Sequence, residues 1–308
     1  MSNIIIFDYE KDIREIILNE FSQYLRGNAI LQLKKGLSLS SLMLNFSNWK
    51  NRFITPKPRK IYISKELKAN PIARNKQNIL NEIIGELQTG KDINHRLSKK
   101  VYEHSYCFNS KSYTPDKDLL LNDWGIHHLH LNNRKKAGKN RGSGQLLFLK
   151  IYDSRAFLID ILDHKSSNFA NSNLLKIIKS NWAELLEPYK LNGVKGLSHN
   201  CTNEEHFQLR KAGVSVLREV DGEFYCMGGI SASGHDVNQL TKIDRFLLHL
   251  KNIKQSLELE ENIQELKQQL EKRFEKQIDM LKLKVVLIED TFLIAEENFN
   301  CSIDFNRD

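Results

Sequence analysis

The sequence predicts an α+β protein: a small antiparallel sheet with packed helices in the centre, a helical N-terminal region, and a long C-terminal helix or coiled coil. Three observations carry this expectation. LLFLKIY (146–152) and AFLIDIL (156–162) are apolar, strand-like runs joined near Asp153-Ser154, which reads as a hairpin. In VSVLREVDGEFYCMG, alternating runs flank Asp221-Gly222, the strongest short-range hairpin signal in the chain. From residue 237 onward, apolar residues recur at helical spacing, from Ile243, Phe246, Leu250 and Ile253 to Ile263, Leu270, Ile278 and Leu281.

Taken in order, NIIIFDY (3–9) reads as a short buried strand. Ile13, Ile16, Ile17, Phe21 and Leu25 then mark a helix that stops at Gly27. SLSSLMLNFSNW is a second helix with Ser38 or Ser40 as its cap. PKPRK (56–60) breaks the helical pattern, and KIYISKEL follows as a short strand. Residues 73–87 form a helix whose apolar face is Ile79, Leu80, Ile83, Ile84 and Leu87; Gly90 stops it, and Asp92 caps another helix through Tyr102. Residues 1–95 are thus a mostly helical region, and 96–195 an α+β domain closed by a helix over 174–186 and Pro188. Residues 196–236 form a hairpin segment, and 237–308 a long helix and tail. The long helix reads as a dimerisation arm or as a helix packed on its own domain. The apolar tail returns against this helix or forms a terminal hairpin.

The 308 residues carry a formal net charge of +8, which favours an acidic partner such as nucleic acid, although a generally basic surface gives the same number. The four cysteines (Cys107, Cys201, Cys226, Cys301) are far apart, with no CxxC pair; a disulfide framework or cysteine zinc knuckle is not expected. With no signal peptide or bilayer-length apolar run, the expectation is a cytoplasmic protein without a membrane partner.

The chemistry concentrates in residues 123–169. DWGIHHLHL holds His127, His128 and His130. If it is a strand, Ile126, His128 and His130 point one way, and His127, Leu129 and Leu131 the other. On the second apolar run, Ala156, Leu158, Asp160, Leu162 and His164 share a face. Strand pairing brings His164 toward His128 or His130. The loop RKKAGKNRGSG between the runs has five cations, Arg134, Lys135, Lys136, Lys139 and Arg141, suited to phosphate; no Walker loop is present. Trp124 and Phe169 are candidate base-stacking residues.

Three chemistries fit this set. The first is metal-independent RNA cleavage, in which paired histidines act as base and acid for attack of the ribose 2′-OH on phosphorus, while cations such as Lys150, Arg155 and Lys165 stabilise the added charge. It needs no cofactor. The second is a metal site built from His128, His130, His164 and Asp160 or Asp163, serving a hydrolase. The third is a non-catalytic nucleic-acid-binding or scaffold protein with a dimerising coiled coil.

This pattern resembles the RelE-type toxins, the mRNA interferases of bacterial toxin–antitoxin pairs, in their histidine-rich branch. The matching pieces are His128 or His130, Asp123-Trp124, LLFLKIY, FLIDIL, His164, Phe169 and, just before the last strand, Arg155. Asp123-Trp124 precede the histidines here, whereas in the family they follow. The gap from His164 to Phe169 is one residue longer, and the basic loop is an insertion. The resemblance covers about residues 100–180. It implies a four-stranded antiparallel sheet with helices on one side, endoribonuclease activity, and a growth-arresting or phage-defence role. The implied partners are RNA, including ribosome-bound mRNA, and an antitoxin. The leading expectation is therefore a nuclease in which His128 and His164 form the acid–base pair, assisted by His130, Arg155 and Lys150.

Overall fold

A computed structural model of the chain describes residues 5–22, 37–98, 101, 108–109, 112–113, 117–131 and 144–303. The fold is α+β, in two units: Ser47–Gln239, and Met1–Phe46 with Leu240–Asp308. The chain divides at 46/47 and 239/240, where the sequence reading set its boundaries at 95, 195 and 236. KIYISKEL, assigned from sequence to the N-terminal region, supplies a strand of the central sheet.

That sheet has four strands in the order Lys60–Ile63, Arg155–Asp163, Gln145–Ile151, His127–His130. The last three pair antiparallel, with the expected hairpin closed by Tyr152 N–H donating to the Arg155 carbonyl at 2.8 Å. Lys60–Ile63 joins parallel to Arg155–Asp163, so the sheet is mixed rather than wholly antiparallel. A parallel neighbour requires a long connection, and these two strands are separated in the chain by the other two strands of the sheet.

Both faces of the sheet are covered, not one. On the first, Ile126, Leu146, Phe148, Phe157 and Ile159 pack against Leu174, Leu175 and Ile178 of the helix Asn173–Trp182. On the second, Leu129, Leu131, Leu147, Leu149, Leu158 and Ile161 pack against Leu80, Ile83 and Leu87 of the helix Gln77–Thr89. The inner strands are therefore apolar at consecutive positions, as two-sided burial requires; each such side chain contributes about 1.5–3 kcal/mol. The second helix stops at Gly90, whose φ is +72° and where a Cβ would meet the Pro58 nitrogen at 2.6 Å. Only glycine fits there. Of the helix expected from Asp92 through Tyr102, the described residues show a 3-10 turn, Asn94–Arg96, where Arg96 is buried against Glu82 and Glu86, and a helical Val101; residues 99, 100 and 102 lie outside the described residues. The Asp221-Gly222 hairpin forms as expected, both residues having positive φ, in a three-stranded sheet of Lys190–Leu191, Glu223–Tyr225 and Arg218–Val220.

In the other unit, the helix Tyr9–Ser22 buries Ile13, Ile17 and Phe21. The expected long C-terminal helix is two helices, Val237–Ser256 and Glu260–Phe274, interrupted at Leu257–Leu259. Ile278 and Leu281, read from sequence as the end of that helix, lie beyond it. Leu281 starts a meander of Leu281–Ile288, Thr291–Glu296 and Cys301–Ile303, with Ile5–Ile6 parallel at its edge. Alternate burial of Leu281, Leu283 and Val285 shows the period changing from 3.6 to 2 at this point. Among the described residues no helix is long and apolar enough to cross a membrane.

Candidate active site

The site begins with a helix cap. Asp118 Oδ1 accepts the Leu121 N–H at 3.1 Å, starting the helix Leu119–Trp124, and Gly125 (φ +64°) ends it. The chain then enters the strand His127–His130. The other oxygen of Asp118, Oδ2, lies 3.2 Å from Nδ1 of His128, and both side chains are nearly enclosed. Burial alone would raise the Asp118 carboxyl, but His128, Arg52 and the Leu121 N–H together hold it far below the usual carboxylate range. Asp118 is thus a fixed anion beside Nδ1 of His128.

His164 reaches the same place through a β-bulge. Strict alternation puts it on the face of Leu158. Instead the register shifts between Phe148↔Asp160 and Leu149↔Leu158, leaving Ile159 as the extra residue. Beyond the bulge Leu162 packs with Phe157 and Ile159, while Ile161 joins Leu158 on the other face. His164 therefore emerges on the His128 side. Phe169 sits between the two: its ring meets His128 edge-on at 5.0 Å and His164 at 5.4 Å. His130, buried, stacks on His164 at 5.9 Å.

His128, His164, Phe169 and Asp118 line one cleft of about 540 Å³. Its cations are Arg52, Lys117, Arg210 and Lys211, and Phe207 is a second aromatic wall. None of these was singled out from sequence, because they come from three separate stretches of chain. Arg210 is fully buried: Nε and Nη2 lie 2.8 and 2.7 Å from Asp123 Oδ2, and Nη1 donates to the Phe169 carbonyl. It fixes Phe169 in position, with its own charge met by Asp123.

Several expected site residues lie elsewhere. Trp124 is 2% exposed and packs under the Arg210 guanidinium at 4.5 Å and beside His206 at 5.3 Å; it is core, not a base-stacking residue. Lys150 is buried with Nζ donating to the Trp124 carbonyl at 2.6 Å, and burial lowers its pKa to about 8. It closes a helix end and does not line the cleft. Arg155 lies over Tyr152 and Phe157 at the opposite end of a nine-residue strand, about 30 Å of extended chain from His164. Lys165 is exposed beside Asp163, 3.8 Å away. Asp160 Oδ1 accepts from Asn70 at 2.6 Å and from the Ile161 N–H, and Asp160 does not line the cleft. Among the described residues no group of three or more His, Cys, Asp or Glu is placed to hold a metal ion. Arg134, Lys135, Lys136, Lys139 and Arg141 lie outside the described residues; the ends of their loop, Leu131 and Gly144, adjoin His130 and His164, with His164 N–H donating to the Gly144 carbonyl at 2.8 Å.

Compared with protein-family models, characterised proteins and solved structures, the chain matches none.

Proposed function

We propose that the protein is a metal-independent endoribonuclease. One observation carries the reading: His128 and His164, thirty-six residues apart in sequence, flank a single phenylalanine ring in a cation-lined cleft. Two imidazoles beside a phosphate site are the components of general acid–base transesterification. His164, the more exposed ring, removes the proton of a ribose 2′-OH. The 2′ oxygen attacks the adjacent phosphorus, and the 5′ oxygen leaves with a proton from His128, whose Nδ1–H faces the Asp118 carboxylate. The products are a 2′,3′-cyclic phosphate and a 5′-hydroxyl. Lys117 and Arg52 stabilise the charge that gathers on the phosphorane oxygens. His130 and Arg210 hold His164 and Phe169 in place.

The reading draws support from the three pieces of the RelE-like pattern that meet in the cleft: His128, His164 and Phe169. Arg155, Lys150 and Trp124 lend it none, so the charge stabilisation is reassigned to Lys117 and Arg52. A growth-arresting role in the cytoplasm, with RNA as substrate and an antitoxin as partner, belongs to the same proposal. The test is cleavage of single-stranded RNA in excess chelator, with end-group analysis of the products. H128A and H164A are each expected to lose about 10²–10⁴-fold in rate while the fold, read by circular dichroism, persists. Full activity in both variants would falsify the assignment. RNA binding without cleavage by the wild type would favour a non-catalytic nucleic-acid-binding protein, which the same cations and aromatics also suit.

A further inference from the structure

The cleft has a wall that the proton chemistry does not use. The helix Asn203–Lys211 presents Phe207, Arg210 and Lys211 at positions i, i+3 and i+4, all on one face and all lining the cleft. The helix is firmly seated. A reciprocal capping box joins Thr202 and Glu205 at its start, and the Ser172 N–H donates to Asn203 Oδ1 at 3.1 Å. Arg210 ties its last turn to the Phe169 carbonyl. Because Asp123 satisfies Arg210, the ligand-facing pair is Phe207 and Lys211, the latter exposed with Nζ 5.6 Å from the Phe207 ring centre.

We infer that Phe207 and Lys211 form a nucleotide subsite beside the histidine pair, taking one unpaired base and a neighbouring phosphate, so that the substrate is single-stranded RNA. This deepens the endoribonuclease reading and rests on it. The physical case has three parts. An aromatic face paired with an adjacent cation is how proteins hold unpaired bases and their backbone, since every base offers a π-face. A cleft of about 540 Å³ is the size that encloses a small ligand, hence a nucleotide or two rather than a duplex. Asp118 and His128 are nearly enclosed, so a phosphate must enter the cleft to meet them, which a splayed single strand does and stacked, paired bases do not. Stacking is tolerant of base identity, so this subsite selects strandedness and not sequence.

The probe is a fluorescent 2′-deoxy oligonucleotide, which lacks the attacking hydroxyl, offered to the full chain as a single strand and as a duplex. The single strand is expected to bind more tightly. F207A is expected to weaken single-strand binding by about 5- to 100-fold, while F207W, which keeps an aromatic face, stays within about threefold of wild type. K211A is expected to reduce the slope of log affinity against log salt by roughly 0.7. Equal or tighter duplex binding, unchanged binding by F207A, or loss in F207W as large as in F207A each overturns the subsite; the last outcome assigns Phe207 to packing alone. Failure here is separable from failure of the catalytic reading. Normal F207A binding with an inactive H128A leaves the nuclease without this subsite. A wild type that binds through Phe207 but cuts no RNA leaves the subsite without the nuclease.

Discussion

His127 and His128 are neighbours on one strand, yet their surroundings make them different chemical groups. His127 points to the face that holds Leu129 and Leu131, and burial lowers its pKa to about 4, with Asp118 pulling weakly the other way. At neutral pH it is an uncharged, half-buried residue on that face. His128 points to the opposite face, where the Asp118 carboxylate stands 3.2 Å from Nδ1 and the residue lines the cleft. A run of histidines is therefore not a site in itself; a fixed carboxylate beside the ring and a place in the cleft wall are what make one of them useful.

The largest expected effect breaks this contrast directly. H128A loses about 10²–10⁴-fold in RNA cleavage, whereas H127Q, a neutral replacement on the core face, stays within about threefold of wild type; equal losses in a cleavage assay would erase the distinction. Next comes the carboxylate. D118N keeps an oxygen to cap Leu121 but removes the charge behind His128, and cleavage is expected to fall by roughly tenfold or more, with a smaller loss in chemical-denaturation stability. A D118N enzyme as active as wild type would mean that His128 needs no anion.

A pH titration of stability sharpens the comparison from the other side. His127 and His235 both have folded pKa values lowered to about 4 by burial, with Lys117 adding to the effect on His235. The unfolded chain takes up these protons near pH 6.5 and the folded chain only near 4. Stability is therefore fully present above about pH 6.5 and is lost as pH falls through that window, by roughly 2–3 kcal/mol for each histidine. Melting temperature measured from pH 7 to 4 should fall, and H127Q should flatten part of that slope. The smallest effect is expected at the far end of the sheet: R155A should change cleavage less than twofold and stability by no more than about 0.5 kcal/mol. A large loss of activity in R155A would return that residue to the site.

Much of this arrangement was legible in the chain. The division of Ile126, His128 and His130 from His127, Leu129 and Leu131 follows from strand period alone, and the two central strands and the Asp221-Gly222 hairpin follow from alternation and turn chemistry. Strict alternation puts His164 with Leu158, on the face away from His128; the bulge at Ile159 moves it across to the cleft that His128 lines. Bulges carry no reliable sequence mark, since they arise from how neighbouring strands twist and pack. Trp124 and Lys150 misled because aromatic and cationic types are ambiguous until burial is known: one fills the core, and the other satisfies a helix-end carbonyl. Neither the Asp118 cap nor the Thr202–Glu205 capping box was read from the sequence, and neither spacing reveals what the helix faces.

Strand period and turn chemistry set which strand carries histidines, how their faces divide and where two hairpins turn, and composition sets that the chain is basic. Tertiary structure decided which of those groups meet. The cleft draws Arg52, Lys117, His128, His164 and Lys211 from separate stretches of chain. Periodicity reports on neighbours a few residues apart, whereas a site of this kind depends on register, a bulge, and the seating of helices against a sheet. Those follow from packing the whole unit at once.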